Sequence, residues 1–197
     1  HVGGVAPGRY ADFSVIPNLR TIRPELVVSH GRVVAENGKL LVEPRRHVFP
    51  DYLREWLQLP REFTPNDFQV RSHVTSGPVK VRVMQILGDI LTGESVIELV
   101  AVDGGIPCDA GRGILKAAVI DTVHAPGRCA TAFVGGFGMR SGAFATSLTF
   151  DVASIAVVGA NETDMAAAVN RIRELHGGAV ICRDGQVLAE LPLPIAE

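Results

Sequence analysis

FVGGFGMRSGAFATSLTFDVASIAVVGANETDM, residues 133–165, carries the most specific structural signals in this chain of 197 residues. Gly135, Gly136, Gly138 and Gly142 crowd into it, a density that suits backbone turning at positive φ or passing close to a neighbour. A phosphate is not indicated. From Gly136 and Gly138 the dinucleotide fingerprint needs a third glycine where Ser141 stands, and the Walker pattern and the G-x-S-x-G elbow do not occur. The glycines therefore read as tight connections between sheet strands. Beyond them, Ser154 to Val158 is a short, β-branched apolar run and predicts a buried strand. Asn161 then caps a helix, with Asp164 placed as in a weak capping box.

Downstream, Met165, Ala168, Val169, Ile172 and Leu175 share one helical face, which must pack on a sheet. Gly177 and Gly178 are expected to end the helix as C′ glycines. Ala179 to Cys182 and Gln186 to Leu191 flank Asp184-Gly185 and predict a hairpin. Upstream, Val79 to Met84 alternates apolar and polar residues, Val96 to Val102 gives a second strand, and Leu115 to Asp121 and Cys129 to Val134 give two more. Nearer the start, Leu26 to Val28, Arg32 to Ala35 and Lys39 to Val42 form a meander, turning at His30-Gly31 and Asn37-Gly38. Between the meander and the later strands, Pro44, Pro50, Pro60 and Pro65 punctuate a segment in which Tyr52, Leu53, Trp56 and Leu57 have helical spacing. This segment is expected to be the junction, with Trp56 packing the two pieces together and ligand stacking as its secondary role.

Composition narrows the function. Hydrophobic content of 47% and mean hydropathy of +0.23 indicate a globular chain. Nineteen basic and twenty-one acidic residues leave a net charge of −2, with no electrostatic footprint for nucleic acid or an anionic membrane. No apolar run approaches the roughly 20 residues of a membrane helix. Cys108, Cys129 and Cys182 are too far apart for a zinc ribbon or a C-x-x-C redox site, and are expected to be reduced thiols in a cytoplasmic protein. The six histidines, His1, His30, His47, His73, His124 and His176, form no paired metal-ligand spacing, so no metal site is expected within the chain. Ser141 has no neighbouring base in sequence to activate it and reads as a loop serine. Asp121 and Asp151 have two readings, as buried carboxylates facing a part of the protein missing from this chain or as strand-end residues that cap turns; the second is favoured. Arg140 and Asp151, polar among apolar neighbours, are the residues expected to face a pocket if any do. No residue of the chain is assigned a catalytic role.

The succession GFG-x-x-x-G, a VVG strand, D-M-A-x-A-V-N-R and V-L-A-E-L-P-L-P-I-A resembles the C-terminal region of bacterial adenine deaminases of the amidohydrolase superfamily, over nearly the whole chain. The opening G-G-V-A-P-G-R-Y-A-D is similar to the segment that follows the catalytic barrel in many amidohydrolases, with Asp12 a turn-stabilising carboxylate. One departure stands out. Where the family pattern reads roughly A-H-D-S-H-N, this chain has Thr149-Phe150-Asp151-Val152-Ala153-Ser154, so both histidine positions are lost, at Phe150 and Ala153. The resemblance implies an α+β fold: a small β-domain segment over residues 1–47, part of an amidohydrolase composite β-sandwich, a Pro-rich linker with a short helix over 48–67, and a mixed sheet domain with few helices over 68–197. It further implies a fragment whose missing barrel, upstream, holds a divalent metal (manganese, iron or zinc). The whole enzyme would hydrolyse adenine or a related purine or cyclic amide, and this portion would serve as scaffold, barrel-mouth packing and contact in a homo-oligomer. The alternative is a stand-alone, non-catalytic binding or assembly module.

Overall fold

The computed structural model describes residues 2–20, 22–44, 48–54, 56–57, 59–149 and 154–193. The chain divides into two compact units, His1–Val48 and Phe49–Glu197. In the first, β1 (Phe13–Val15), β2 (Leu26–Ser29), β3 (Arg32–Glu36) and β4 (Lys39–Leu40) form an antiparallel meander in that order. Both tight turns place consecutive residues at positive φ, His30 and Gly31 (49° and 74°) and Asn37 and Gly38 (49° and 77°), the geometry that matches strand twist in a two-residue hairpin. The Asp12 carboxylate accepts a hydrogen bond from the His30 backbone N–H, so it braces the first of these turns.

The second unit begins with α1 (Asp51–Arg54), a single turn that stops short of Trp56. The helical spacing of Tyr52, Leu53, Trp56 and Leu57 is not used beyond that turn. Instead Leu57, Leu59, Phe63 and Phe68 enter the core, while Trp56 packs half-buried against the same cluster. A hydrogen-bonded clamp explains why this Pro-rich stretch is held: Asn170 Nδ2 donates to the Phe63 carbonyl and Asn170 Oδ1 accepts from the Phe63 N–H, both at 2.8 Å. A 3-10 turn at Pro65–Phe68 follows.

Next come β5 (Val70–Arg71), β6 (Gly77–Ile86), β7 (Thr92–Ala101) and β8 (Gly105–Ile106), then a 3-10 turn at Ala110–Arg112. The remaining elements are β9 (Ile114–Asp121), β10 (Cys129–Gly135), β11 (Ala143–Thr146), β12 (Ser154–Gly159), α2 (Glu162–Leu175), β13 (Gly178–Arg183) and β14 (Gln186–Pro192). Eight of these strands form one sheet in the order β14-β13-β11-β12-β9-β10-β6-β7, and β5 pairs with β8 apart from it. All neighbours are antiparallel except β10 and β6, which run parallel with Phe133 opposite Val83, so the sheet is mixed and the fold is α+β.

One face of the sheet carries the core. Met165, Ala168, Val169 and Ile172 of α2 pack on Ala118 and Ile120 of β9, Ala143 and Ala145 of β11, Ile155 and Val157 of β12 and Val180 of β13. A second cluster under β6, β7 and β10 gathers Val81, Val83, Leu99 and Phe133. Asn161 caps α2 as expected, its side-chain oxygen accepting from the Asp164 N–H at 2.8 Å. The other end differs from expectation. The left-handed residue is His176 (φ 57°), and Gly177 and Gly178 follow it in conformations (φ 128° and 152°) that only glycine tolerates well. They are glycine because β14 passes so near: a Cβ would stand 2.6 Å from the Leu193 carbonyl oxygen at Gly177 and 2.5 Å from that of Leu191 at Gly178.

Candidate functional site

The glycine loop between β10 and β11 lies beside the 3-10 turn at Ala110–Arg112, and together they wall an open cleft of about 460 Å³ that also includes Gln85, Arg112, Met139 and Arg140. Its glycines serve the sheet. A Cβ on Gly135 would run into the Gln85 amide, one on Gly136 would stand 2.7 Å from the Ile86 carbonyl oxygen, and one on Gly142 2.5 Å from that of Cys182. These positions thus let β10 close on β6 and let the loop cross β13. Gln85 is itself fixed, donating to Ser95 Oγ at 2.7 Å. Arg112 is braced by Asp109 (3.4 Å) and donates to the Glu98 carbonyl (3.1 Å). Arg140, exposed, has no hydrogen-bond or ion-pair partner among the described residues. Two guanidinium groups and an amide can bind a polar or anionic group. They offer no nucleophile and no base at neutral pH.

Asp151 lies outside the described residues, as do Phe150 and Ala153. Its nearest described neighbour on β12, Ser154, pairs with Asp121 at the end of β9, whereas Gly135, next to the glycine loop, pairs with Ile114 at the start. Those two ends of β9 are separated by the length of the strand, about 23 Å. The structure therefore does not bring Arg140 to the end of the sheet where Ser154 sits. Asp121 itself is engaged as a cap: its carboxylate accepts from the backbone N–H groups of Val123, His124 and Ala125 at 2.8, 2.9 and 3.1 Å. The bond from Val123 leads in holding its pKa below the ordinary carboxylate value.

One cluster leaves a single trace in the sequence. Lys116, in the middle of the β-branched run of β9, turns its side chain to the α2 face, where it is 1% exposed and forms an ion pair with Glu162 in the first turn of the helix. Its ammonium also stands 5.9 Å from the centre of the Phe133 ring. Cys108 sits close by and donates to the Gly159 carbonyl at 3.5 Å; burial pushes its thiol up to about 11, against the opposing pull of Lys116. Burial also raises the thiols of Cys129 and Cys182. All three are protonated at neutral pH and are poor nucleophiles. The Lys116–Glu162 pair could have been suspected only from the fact that a lysine interrupts Ile-Leu-Lys-Ala-Ala-Val-Ile, a strand otherwise apolar on both faces.

Among the described residues no group of three or more histidine, cysteine, aspartate or glutamate side chains converges so as to hold a metal ion. His30 and His124 lie beside Asp12 and Asp121 respectively, each carboxylate already engaged in bracing a turn. The described residues thus offer no ligand set of their own for the divalent metal that the amidohydrolase resemblance places in the missing barrel. No helix among them is long and apolar enough to cross a membrane.

With this geometry in hand, the comparisons are decisive for kinship. The family described as adenine deaminase C-terminal domain matches residues 89–196. The chain is 37% identical over 196 residues to an adenine deaminase of Moorella thermoacetica, covering 99% of this chain and 33% of that protein. It is 38% identical over 197 residues to one from Kosmotoga olearia (99% and 33%). An adenine deaminase of Brucella abortus is 42% identical over 195 residues (98% and 32%). The chain thus spans about a third of the length of the curated relatives it matches. Through a match that takes in the glycine loop, β12, the capped helix and the final hairpin, this chain belongs to the adenine deaminase C-terminal domain family.

Proposed function

We propose that this chain is the non-catalytic C-terminal portion of an adenine deaminase, and that the whole protein hydrolyses adenine to hypoxanthine and ammonia. The carrying observation is the end-to-end match to proteins named adenine deaminase that covers only a third of their length. In this reading the chemistry, with its divalent metal, belongs to polypeptide outside the chain. The second unit supplies a rigid sheet that supports it, the meander of the first completes a small β-domain, and both add contacts in a homo-oligomer. Arg140 and Asp151 are the residues of this portion proposed to face a pocket.

The test is ammonia release from adenine, followed for the 197-residue chain and for the protein at the full length of its relatives. The expected result is turnover by the longer protein and none by the chain. Turnover of another purine or a cyclic amide in place of adenine would change the substrate, in keeping with the apolar Phe150 and Ala153. No turnover of any of them by the longer protein would overturn the enzyme reading in favour of a binding or assembly module.

A further inference from the structure

Among the described residues the eight-stranded sheet has one side covered throughout and the other covered only at the glycine-loop end, where Leu115 and Val134 are buried. α2 is the long helix of the second unit, and a helix about 10 Å across cannot cover eight strands spaced about 4.8 Å apart. The segment from Trp56 to Phe68 extends that covering layer on the same side. The other side can be followed through the register. Ile181 of β13 pairs with Phe144 of β11, Phe144 with Val158 of β12, Val158 with Ala117 of β9, and Ala117 with Ala132 of β10. This is an unbroken apolar row across five strands.

The adjacent row contains Val119, which is 48% exposed, and Ile181 is 43% exposed. Antiparallel sheets that keep one face in water place polar residues there, which gives clean alternation along each strand. β6 and β7 keep that rule in part on this side, with Lys80 opposite Glu98 and Arg82 paired to Glu94 at 2.6 Å among the exposed Met84, Val96 and Val100. The five strands from β13 to β10 carry the apolar row between their ends. Their sequences are those of strands buried on both faces, and contiguous exposed apolar surface of this kind marks an interaction site.

We infer that this bare face is a docking surface whose occupant is the polypeptide that the adenine deaminase relatives carry outside the span matched here, an inference that rests on the chain's working as one part of such a protein. The relatives have twice this chain's length again to supply it. Alanines at 117 and 132 leave room for close approach of a packed layer, and the Lys80, Arg82, Glu94 and Glu98 edge forms a polar rim. The competing occupant, a second copy of this chain, is distinguished by mass.

The experiment places a cysteine on the face (Val119→Cys, and separately Ala132→Cys) and a control cysteine in the exposed hairpin turn (Asp184→Cys). Maleimide labelling is followed by peptide mass, so that the native thiols are read separately, in the 197-residue chain and in the protein at the relatives' full length. Labelling at 119 and 132 should be fast in the chain, which is expected to run as a monomer by light scattering, and slower by at least about tenfold in the longer protein, with position 184 equally reactive in both. If positions 119 and 132 label as fast as 184 in the longer protein, the inference is overturned. Protection already present in the short chain together with a dimer mass overturns it in favour of the second copy. Deamination measured on the same samples separates the readings: an active longer protein with a reactive face loses only the docking surface, and an inactive one with a protected face loses only the activity.

Discussion

At the scale of single residues, the Lys116–Glu162 pair shows how unequal the two halves of an ion pair can be. Lys116 is sealed between the sheet and α2, whereas the Glu162 side chain is 26% exposed. Removing the carboxylate strands a charge in the core. Removing the ammonium leaves a carboxylate that water reaches and that the helix N-terminus favours. Glu162→Ala is therefore expected to lower unfolding stability by about 3–5 kcal/mol, and Lys116→Met by less than about 2 kcal/mol, since methionine fills the same volume without a charge to satisfy. Urea unfolding of both variants at neutral pH checks this. Equal losses would mean that the pair is solvated and that its burial carries no energetic weight.

At the scale of elements, the 3-10 turn at Pro65–Phe68 depends on one carboxylate. Asp67 accepts from Arg61 Nη1 and Nη2 (2.9 and 2.6 Å) and from the Thr64 N–H and hydroxyl (2.7 and 2.9 Å). The Arg61 bonds lead in lowering its pKa from 3.8 to about 2, with the Thr64 bonds in support. A carboxylate whose folded pKa lies below its unfolded value contributes stability that is present above 3.8 and lost as pH falls towards about 2. Asp67→Asn should accordingly melt lower than the parent at neutral pH, and the gap should close as the pH is taken down through that window. A gap that stays constant with pH would assign the effect to shape rather than charge.

The same scale decides what the sequence could reveal. The strand over Ser154 to Gly159, the Asn161 cap, the amphipathic α2 and the Asp184-Gly185 hairpin are written in local periodicity and turn chemistry, and the structure has them. β11 is four residues long and follows directly on the glycine loop, too short a stretch of alternation to register as a strand. The short helix near Trp56 ends after one turn because Leu57 and Leu59 go into the core and Asn170, more than a hundred residues away in sequence, holds the chain at Phe63. Such a partner leaves no local trace. His176 took the left-handed position assigned to Gly177 because both glycines were needed against β14. The burial of Lys116 depended on which face of β9 met the helix, and a strand apolar on both sides does not declare that.

At the scale of the whole molecule, no three histidine, cysteine, aspartate or glutamate side chains converge among the described residues so as to hold a metal ion. Treatment with a strong chelator is therefore expected to move the melting temperature of the 197-residue chain by less than about 1 °C, because only a ligand bound to the folded state adds to its stability. A fall of several degrees, restored by added zinc or manganese, would establish a ligand set that the described residues do not contain.

The single parallel pairing, β6 against β10, has a consequence in time. When the chain leaves the ribosome, the β6–β7 hairpin can zip at once, but the strand that accepts it, with Phe133 set opposite Val83, follows some fifty residues later. Until β10 arrives, the hairpin has an open edge and an uncovered apolar side, and closure must join ends that are far apart in sequence, the step that makes sheets of this kind slow to assemble. Nascent chains stalled before residue 129 would be the species that most needs a chaperone.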